Sequence, residues 1–135
     1  SWDVPLSSEM RAAMEEVGGE GFMTAAAPDG LRIVGRRPVG VLYGVYSLLK
    51  RHGDVRWFFP GPEGEFCPRK TSFSVPLGIS VENPSFPTRE INLVCASITS
   101  KMTDTWDWMA RNGIQLTTRK NRLADGWPVS EHGCF

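Results

Sequence analysis

Residues 40–61 read GVLYGVYSLLKRHGDVRWFFPG, and their pattern changes from that of a helix to that of a strand. The apolar residues that recur at spacings of three and four are Leu42, Val45, Tyr46 and Leu49. This spacing puts side chains on one face of a helix. Pro38 suits the first helical turn, where its missing N–H costs nothing, and Gly53 is a typical helix stop. The stretch therefore predicts a helix over 39–52, with this face packed on a sheet, followed by the strand VRWFF.

Two glycines and the aromatic residues of this stretch leave its role open. Gly40 and Gly44 are neighbours on the helix surface, so another backbone can approach closely there, although each Gly costs about 0.5–1 kcal/mol relative to Ala. The aromatic side chains fit the core of a small domain, since burying one contributes about 1.5–3 kcal/mol. They also fit a platform on which Trp57, Tyr43 or Tyr46 stacks against a sugar. Spacing alone does not separate the two interpretations.

A helix and a hairpin are predicted before this stretch. SSEMRAAMEEV at 7–17 has Ser7 in the position of a helix cap. Its apolar face consists of Met10, Ala13, Met14 and Val17. PDG at 28–30 is a turn signal between two strand-like runs, which predicts a hairpin of 21–27 and 31–36.

The residues after the stretch predict the end of one domain and the start of another. TSFSV at 71–75 alternates like a short strand, and LGISVENPSFPT at 77–88 has the prolines of a linker. REINLVCASI, from residue 89, is nearly all apolar, as in a strand of a parallel sheet covered on both faces. Asp104 can cap a helix over TWDWMARN, and IQLTTR is the next strand. Strand, helix and strand in this order predict a right-handed βαβ unit.

The composition excludes several classes of function. The 135 residues carry fifteen basic and fifteen acidic side chains, so no charge excess favours nucleic acid or anionic lipid. No apolar run reaches the about 18 residues of a transmembrane helix. SWDVPLSS at the start lacks the basic and apolar regions of a signal peptide. Cys67, Cys95 and Cys134 are too few and too scattered for a disulfide framework, and we interpret them as free or buried thiols.

No cofactor is expected from the sequence. Glu131, His132 and Cys134 lack the paired ligands of a structural zinc site, and a nucleophile pair of Cys95 with His132 has no further support. GGEG at 18–21 follows a helix instead of opening one, so it does not match a phosphate-binding loop.

A strand that ends in Gly, a Gly-x-x-Tyr-Gly-x-Tyr-like helix at 40–46 and RWFFPG at 56–61 follow one another in this chain. GEFCPRK at 64–70 and NPSFPTRE at 83–90 come next. This order resembles the small α/β domain that precedes the catalytic barrel in glycoside hydrolases of families 20 and 67, in particular an uncharacterised bacterial branch related to the α-glucuronidases. The resemblance spans roughly residues 15–120.

The resemblance implies a fold and a division of the chain. The fold class is α/β, in which residues 1–82 form a small domain with a mainly antiparallel sheet and helices on one face. Residues 83–135 then form the first β/α units of a (β/α)8 barrel. Active sites of such barrels lie at the C-terminal ends of the strands, and a full barrel needs about 200 residues or more. We therefore expect the catalytic carboxylates on later strands, outside this sequence, and no catalytic residue within it.

Arg89 is the candidate substrate-binding residue. In family 20 an Arg at the start of the first barrel strand hydrogen-bonds sugar hydroxyls, and the resemblance places Arg89 there, although TRE stands where those enzymes commonly have Arg-Gly. A guanidinium suits this role because it offers several donors in a fixed plane. The alternatives are an interdomain salt bridge or a surface charge.

The carboxylates and a basic run receive structural interpretations. Glycoside hydrolysis needs two carboxylates about 5–5.5 Å or 6.5–9.5 Å apart. Asp104 and Asp107 share a helix face, but we interpret them as a helix cap and a solvated charge. Glu63 and Glu65 are interpreted as loop charges. RKNR at 119–122 is either a solvated loop or a contact to an acidic sugar.

Three functions are compatible with these observations. The main hypothesis is a non-catalytic scaffold portion of a carbohydrate-active hydrolase, whose partners are carbohydrate and the rest of the barrel. The resemblance implies a periplasmic or secreted location. The main hypothesis also predicts an exposed apolar face on 91–118 and therefore self-association. The second hypothesis is a glycan-binding module that uses the aromatic helix and strand. The third is a small complete enzyme that uses Arg89 and nearby acids.

Overall fold

A computed structural model describes residues 5–91 and 101–115 of the chain. The elements, in chain order, are α1 (Ser8–Glu16), β1 (Phe22–Ala27), β2 (Gly30–Gly35), α2 (Pro38–His52), β3 (Arg56–Trp57), a single 3-10 turn (Pro62–Gly64), β4 (Glu65–Phe66), β5 (Gly78–Glu82) and α3 (Lys101–Arg111). The chain divides into two units. The first comprises residues 1–56 and 66–87, and the second comprises 57–65 and 88–135.

The first unit is built on a three-stranded antiparallel sheet in the order β2-β1-β5. The hairpin of β1 and β2 confirms the prediction made from the PDG turn. With α1 and α2 beside it, the antiparallel sheet confirms a mixed α and β composition for this part of the chain.

Helix α1 forms as its sequence predicts. The Ser7 hydroxyl accepts a hydrogen bond from the backbone N–H of Met10 at 3.2 Å, which satisfies one of the donors left open at a helix start. Met10 and Val17 are buried and share a core with Met23 of β1. The partly buried residues around that core include Leu6, Ala13, Met14, Ala25, Val34, Ile79 and Val81. The predicted apolar face of α1 is therefore the face that packs.

Helix α2 has the predicted position but not the predicted orientation. Its buried residues are Gly40 and Gly44. A Cβ at Gly40 would collide with the carbonyl oxygen of Gly21, and a Cβ at Gly44 would collide with Ile33 of β2. The close backbone approach is thus confirmed, whereas the expectation that the Leu42 face packs on the sheet is wrong, since Leu42 is 40% exposed. The glycine face packs because its lack of side chains lets the helix approach the Gly21 carbonyl and the side chains of Ile33 and Phe22 closely.

The two helices of the first unit lie on opposite faces of the sheet. Successive residues of a strand point to opposite faces. Met23, in register with Val34 and Val81, points to the side of α1. Phe22 and Ile33 lie on the other side, where Gly44 of α2 meets them. This corrects the expectation of helices on one face only, which arose because a sequence pattern shows that a helix packs but not on which side.

Three strand predictions need correction. Residues 77–88, interpreted as a linker, contain β5, which pairs with β1 from Phe22↔Glu82 to Ala26↔Gly78. Residues 71–75, interpreted as a strand, form none. VRWFF contributes only Arg56–Trp57 to a strand, which pairs with β4. Alternating residues become a strand only where a partner strand is available, and pairing partners distant in sequence cannot be seen locally.

The second unit places Trp57 beside the C-terminal part of α3. Trp108 Nε1 and Asn112 Nδ2 both donate to the backbone oxygen of Trp57, at 3.0 and 3.1 Å. The Arg111 guanidinium lies 5.7 Å from the centre of the Trp57 ring and forms a 3.0 Å ion pair with Glu65. These contacts fix the start of the β3–β4 connection on the helix.

Helix α3 begins earlier than its sequence predicts. It spans Lys101–Arg111, so Asp104 lies in its first turn and is not its cap. An acidic side chain is favoured in that turn as well, because of the helix dipole. Most of the two strands predicted around α3, at 89–98 and 114–119, lies outside the described residues. No helix in the described ranges is long and apolar enough to cross a membrane.

Candidate functional site

Arg89 is tied to the segment that follows α3. Its Nε donates to the backbone oxygen of Gly113 at 2.8 Å, and its backbone N–H donates to Gln115 Oε1 at 3.1 Å. The backbone N–H of Gln115 donates in return to the Arg89 oxygen at 2.9 Å. These bonds give Arg89 a positioning role in the second unit. Its contact with a sugar remains a prediction from the resemblance.

Of the three aromatic residues proposed for a sugar platform, Trp57 is buried. Trp57 is 8% exposed, so neither ring face is open to a sugar. Tyr43 and Tyr46 are half-buried on α2. Phe58, one of the aromatic residues that fit the core of a small domain by sequence, is 66% exposed, and Phe59 is exposed as well. The aromatic content of the opening stretch is therefore divided between the interior at Trp57 and the surface at the two phenylalanines.

The carboxylates of the described residues lie in water or in ion pairs. Glu63, Asp104 and Asp107 are exposed, and Glu65 pairs with Arg111. Within residues 5–91 and 103–115, no polar or charged residue is buried. Cys95, His132, Cys134 and the basic run at 119–122 lie outside the described residues.

Metal binding has no basis among the side chains that the structure describes. No group of three His, Cys, Asp or Glu residues is found there in an arrangement that could hold a metal ion. Cys67 is exposed and has a free thiol.

A groove lies where β5 is left uncovered beside the C-terminal half of α2, and we name it the β5 groove. Its volume is about 280 Å³. Its polar lining consists of Thr24, Ser47, Arg51, His52, Ser80 and Glu82. Its apolar lining includes Phe22, Leu48, Leu77 and Ile79. The groove exists because α2 packs over β1 and β2, which leaves the same face of β5 without a covering helix.

Glu82 is the central polar residue of the β5 groove. Its Oε2 forms a 2.8 Å ion pair with Arg51 and accepts a hydrogen bond from the Ser47 hydroxyl at 3.4 Å. Ser47 and Arg51 are four apart on α2 and therefore lie on the same side of the helix. The Glu82 side chain is 26% exposed. It is thus held in place and still reachable from the groove.

Lys70 links the segment after β4 to the end of α2. Its Nζ forms an ion pair with Asp54 and donates to the His52 oxygen at 3.3 Å. The hydrogen bond from Lys70, and then its charge, lower the pKa of Asp54. Nearby, burial and the charge of Arg56 lower the pKa of Lys50. The charges of Lys70 and Asp54 therefore compensate each other.

The β5 groove was missed at the level of sequence because its two walls are distant in the chain. Ser47 and Arg51 come from α2, and Glu82 comes from a strand that was interpreted as a linker. The available signal was the alternation of ISVE in residues 79–82, which is typical of a half-buried strand.

Comparisons of the chain with protein-family models, with curated proteins and with solved structures give no match.

Proposed function

We propose that this chain is a non-catalytic portion of a carbohydrate-active hydrolase of the glycoside hydrolase type. In this proposal the first unit braces a barrel, and the residues from 83 onward begin that barrel. The motif order at 40–61 is the basis for the class of enzyme. The packing of α2 through Gly40 and Gly44 supports it, because this contact gives the motif's glycines a structural purpose.

The observation that carries the scaffold role is the excess of exposed apolar side chains. Among the described residues, eight hydrophobic residues are buried and eleven large hydrophobic residues are exposed. Single exposed apolar residues are ordinary, but many of them on a small domain are typical of a surface that binds another protein or domain. A buttress needs such a surface, whereas a free-standing enzyme needs an enclosed polar site.

The contacts of Arg89 support the barrel part of the proposal. Arg89 and Gln115 lie on either side of α3, and the Gln115 N–H donates to the Arg89 oxygen. A strand, a helix and a parallel strand bring the two strand starts together in this way. The proposal extends this contact to two parallel barrel strands.

The test begins with the reading frame on the 3′ side of the Phe135 codon. The proposal requires further strand and helix segments there, with carboxylates near the ends of later strands. The protein made from the complete frame should hydrolyse a chromogenic glycoside, and the 135-residue chain alone should not. A frame without such segments overturns the proposal, as does turnover by the 135 residues alone.

A matched pair of variants tests whether the packing of the first unit supports the proposed barrel. In the complete protein, Gly40→Ala should lower activity and thermal stability together, since it separates α2 from the sheet. Gly19→Ala is the control, because a side chain there would meet only the end of Arg37 at 3.8 Å. Equal behaviour of the two variants contradicts a bracing role for the first unit.

A further inference from the structure

The floor of the β5 groove is set by the register of the sheet. Thr24 is paired with Ser80, and Phe22 is paired with Glu82. Paired residues of antiparallel strands point to the same face, and this is the face on which α2 lies. Two hydroxyls, one carboxylate and one aromatic ring are therefore presented together where β5 has no cover.

The Arg51–Glu82 pair offers both a donor and an acceptor to a ligand. The contacts to Glu82 use Oε2, and no hydrogen bond to Oε1 is found among the described residues. Arg51 is exposed, and a guanidinium carries five N–H donors, more than one carboxylate oxygen can use. A hydroxyl group can donate to the carboxylate and accept from the guanidinium at the same time. Adjacent hydroxyls on a ring fit this arrangement particularly well.

The size and charge of the groove narrow the class of ligand. A volume of about 280 Å³ is just below the about 300 Å³ at which pockets for drug-sized ligands begin. This is room for a single ring. Arg51 is compensated by Glu82 and Lys70 by Asp54, so the ion pairs leave no excess charge to attract an anion. Leu48 and Phe22 supply apolar surface for the C–H face of the ring.

We propose that the β5 groove binds one neutral monosaccharide unit, with Glu82 and Arg51 as the hydroxyl-binding pair. This site lies within the first unit. The proposal rests on the chemistry of the groove and does not depend on the assignment to a hydrolase.

The experiment is a titration of the isotopically labelled 135-residue chain, followed by amide NMR shifts. The probes are methyl glycosides of glucose, galactose, mannose and xylose, with glucuronate as the charged probe. A neutral glycoside should bind with a millimolar Kd, and the shifts should concentrate at Ser47, Arg51, Ser80 and Glu82. Shifts from no neutral sugar, or tighter binding of glucuronate than of any neutral sugar, would overturn the proposal.

Two variants and two controls locate the site. Glu82→Gln should raise the Kd about tenfold or more, because both the ion pair and the anionic acceptor are lost. Thr24→Val keeps the shape and the strand propensity and should raise the Kd severalfold, so it tests the groove even if Glu82→Gln weakens the fold. Asp29→Asn, which changes an exposed carboxylate near Arg32, should leave the Kd unchanged. Binding that persists in both groove variants and disappears in Phe58→Ala assigns the sugar to the exposed phenylalanines and overturns the proposal.

Discussion

The carbonyl oxygen of Gly21 lies so close to the Cα of Gly40 that a side chain at position 40 would overlap it. This contact joins the start of β1 to the first turn of α2 and sets the height of the helix above the sheet. It explains why the helix contains a glycine that lowers its intrinsic stability.

Gly40→Ala should therefore destabilise the protein even though Ala is the better helix former. Overpacking of this kind costs about 1–3 kcal/mol, which exceeds the propensity gain. Denaturant unfolding of the variant should show a lower midpoint. The matched control is Gly19→Ala, for which we expect an unchanged midpoint, because the space around Gly19 is open apart from the Arg37 side chain. A Gly40→Ala variant as stable as the wild type would show that the contact with Gly21 relaxes freely.

The orientation of α2 predicts unequal effects of two apolar truncations. Met23 is fully buried in the core of the first unit, whereas Leu42 is 40% exposed. Met23→Ala should lower the free energy of unfolding by about 2–5 kcal/mol, from lost transfer energy and a cavity. Leu42→Ala should lower it by less than about 1 kcal/mol. Urea unfolding of both variants measures the difference, and equal losses would mean that the Leu42 face is buried against something in solution.

The helix α1, the hairpin and the position of α2 could be predicted because their signals are local. Ser7, the PDG turn, Pro38 and Gly53 mark ends and turns within a few residues of the elements that they delimit. The strand β5 could not be predicted in the same way. Its partner β1 comes near the start of the chain, and its short apolar alternation is followed by prolines that resemble a linker.

The orientation of α2 shows a second limit of sequence reasoning. The apolar periodicity selected Leu42, Val45, Tyr46 and Leu49 as the packing face, and the glycine spacing selected the opposite one. Which face of α2 packs on the sheet depends on the shape of that sheet, and a local sequence pattern carries no information about this shape. The β5 groove depends on both missed features, since Arg51 takes its place from this orientation and Glu82 from β5.

Asn83 connects the end of α1 to the chain after β5. Its Nδ2 donates to the Glu16 oxygen at 2.9 Å, and its Oδ1 accepts from the Gly18 N–H at 2.7 Å. Asn83→Ala should lower the free energy of unfolding by about 1–2 kcal/mol, because each hydrogen bond contributes about 0.5–1.5 kcal/mol. Ser85→Ala, two residues further on and also exposed, should have no measurable effect. Thermal unfolding by circular dichroism compares the two, and a silent Asn83→Ala would contradict the bridging role.

The Lys70–Asp54 pair predicts a dependence on pH. The pKa of Asp54 is lowered by the hydrogen bond from Lys70 and by its charge. Since the folded pKa lies below the unfolded one, the stabilisation is complete above the unfolded pKa and is lost as the pH falls through the folded pKa. In Lys70→Met the Asp54 pKa should rise toward the ordinary value of Asp. A titration of carboxyl carbon shifts by NMR measures this, with Arg32→Met as the control that leaves Asp54 unchanged. An unchanged Asp54 pKa in Lys70→Met would show that the pair does not persist in solution.

Exposed apolar side chains of the second unit predict self-association. Ile91 and Trp106 are both exposed, and Trp106 is 48% accessible on α3. Tryptophan often contributes most of the binding energy where it enters an interface. We therefore expect sedimentation velocity to show concentration-dependent association of the 135-residue chain, which Trp106→Ser should weaken by about tenfold or more in Kd. Leu77→Ser is the control, since Leu77 is a more exposed apolar residue that belongs to the first unit. Both substitutions replace exposed side chains, so neither should change the thermal unfolding temperature appreciably. A chain that stays monomeric at all concentrations, or that responds equally to the two substitutions, would contradict an association surface at Trp106 and would weaken the proposal that a barrel continues from α3.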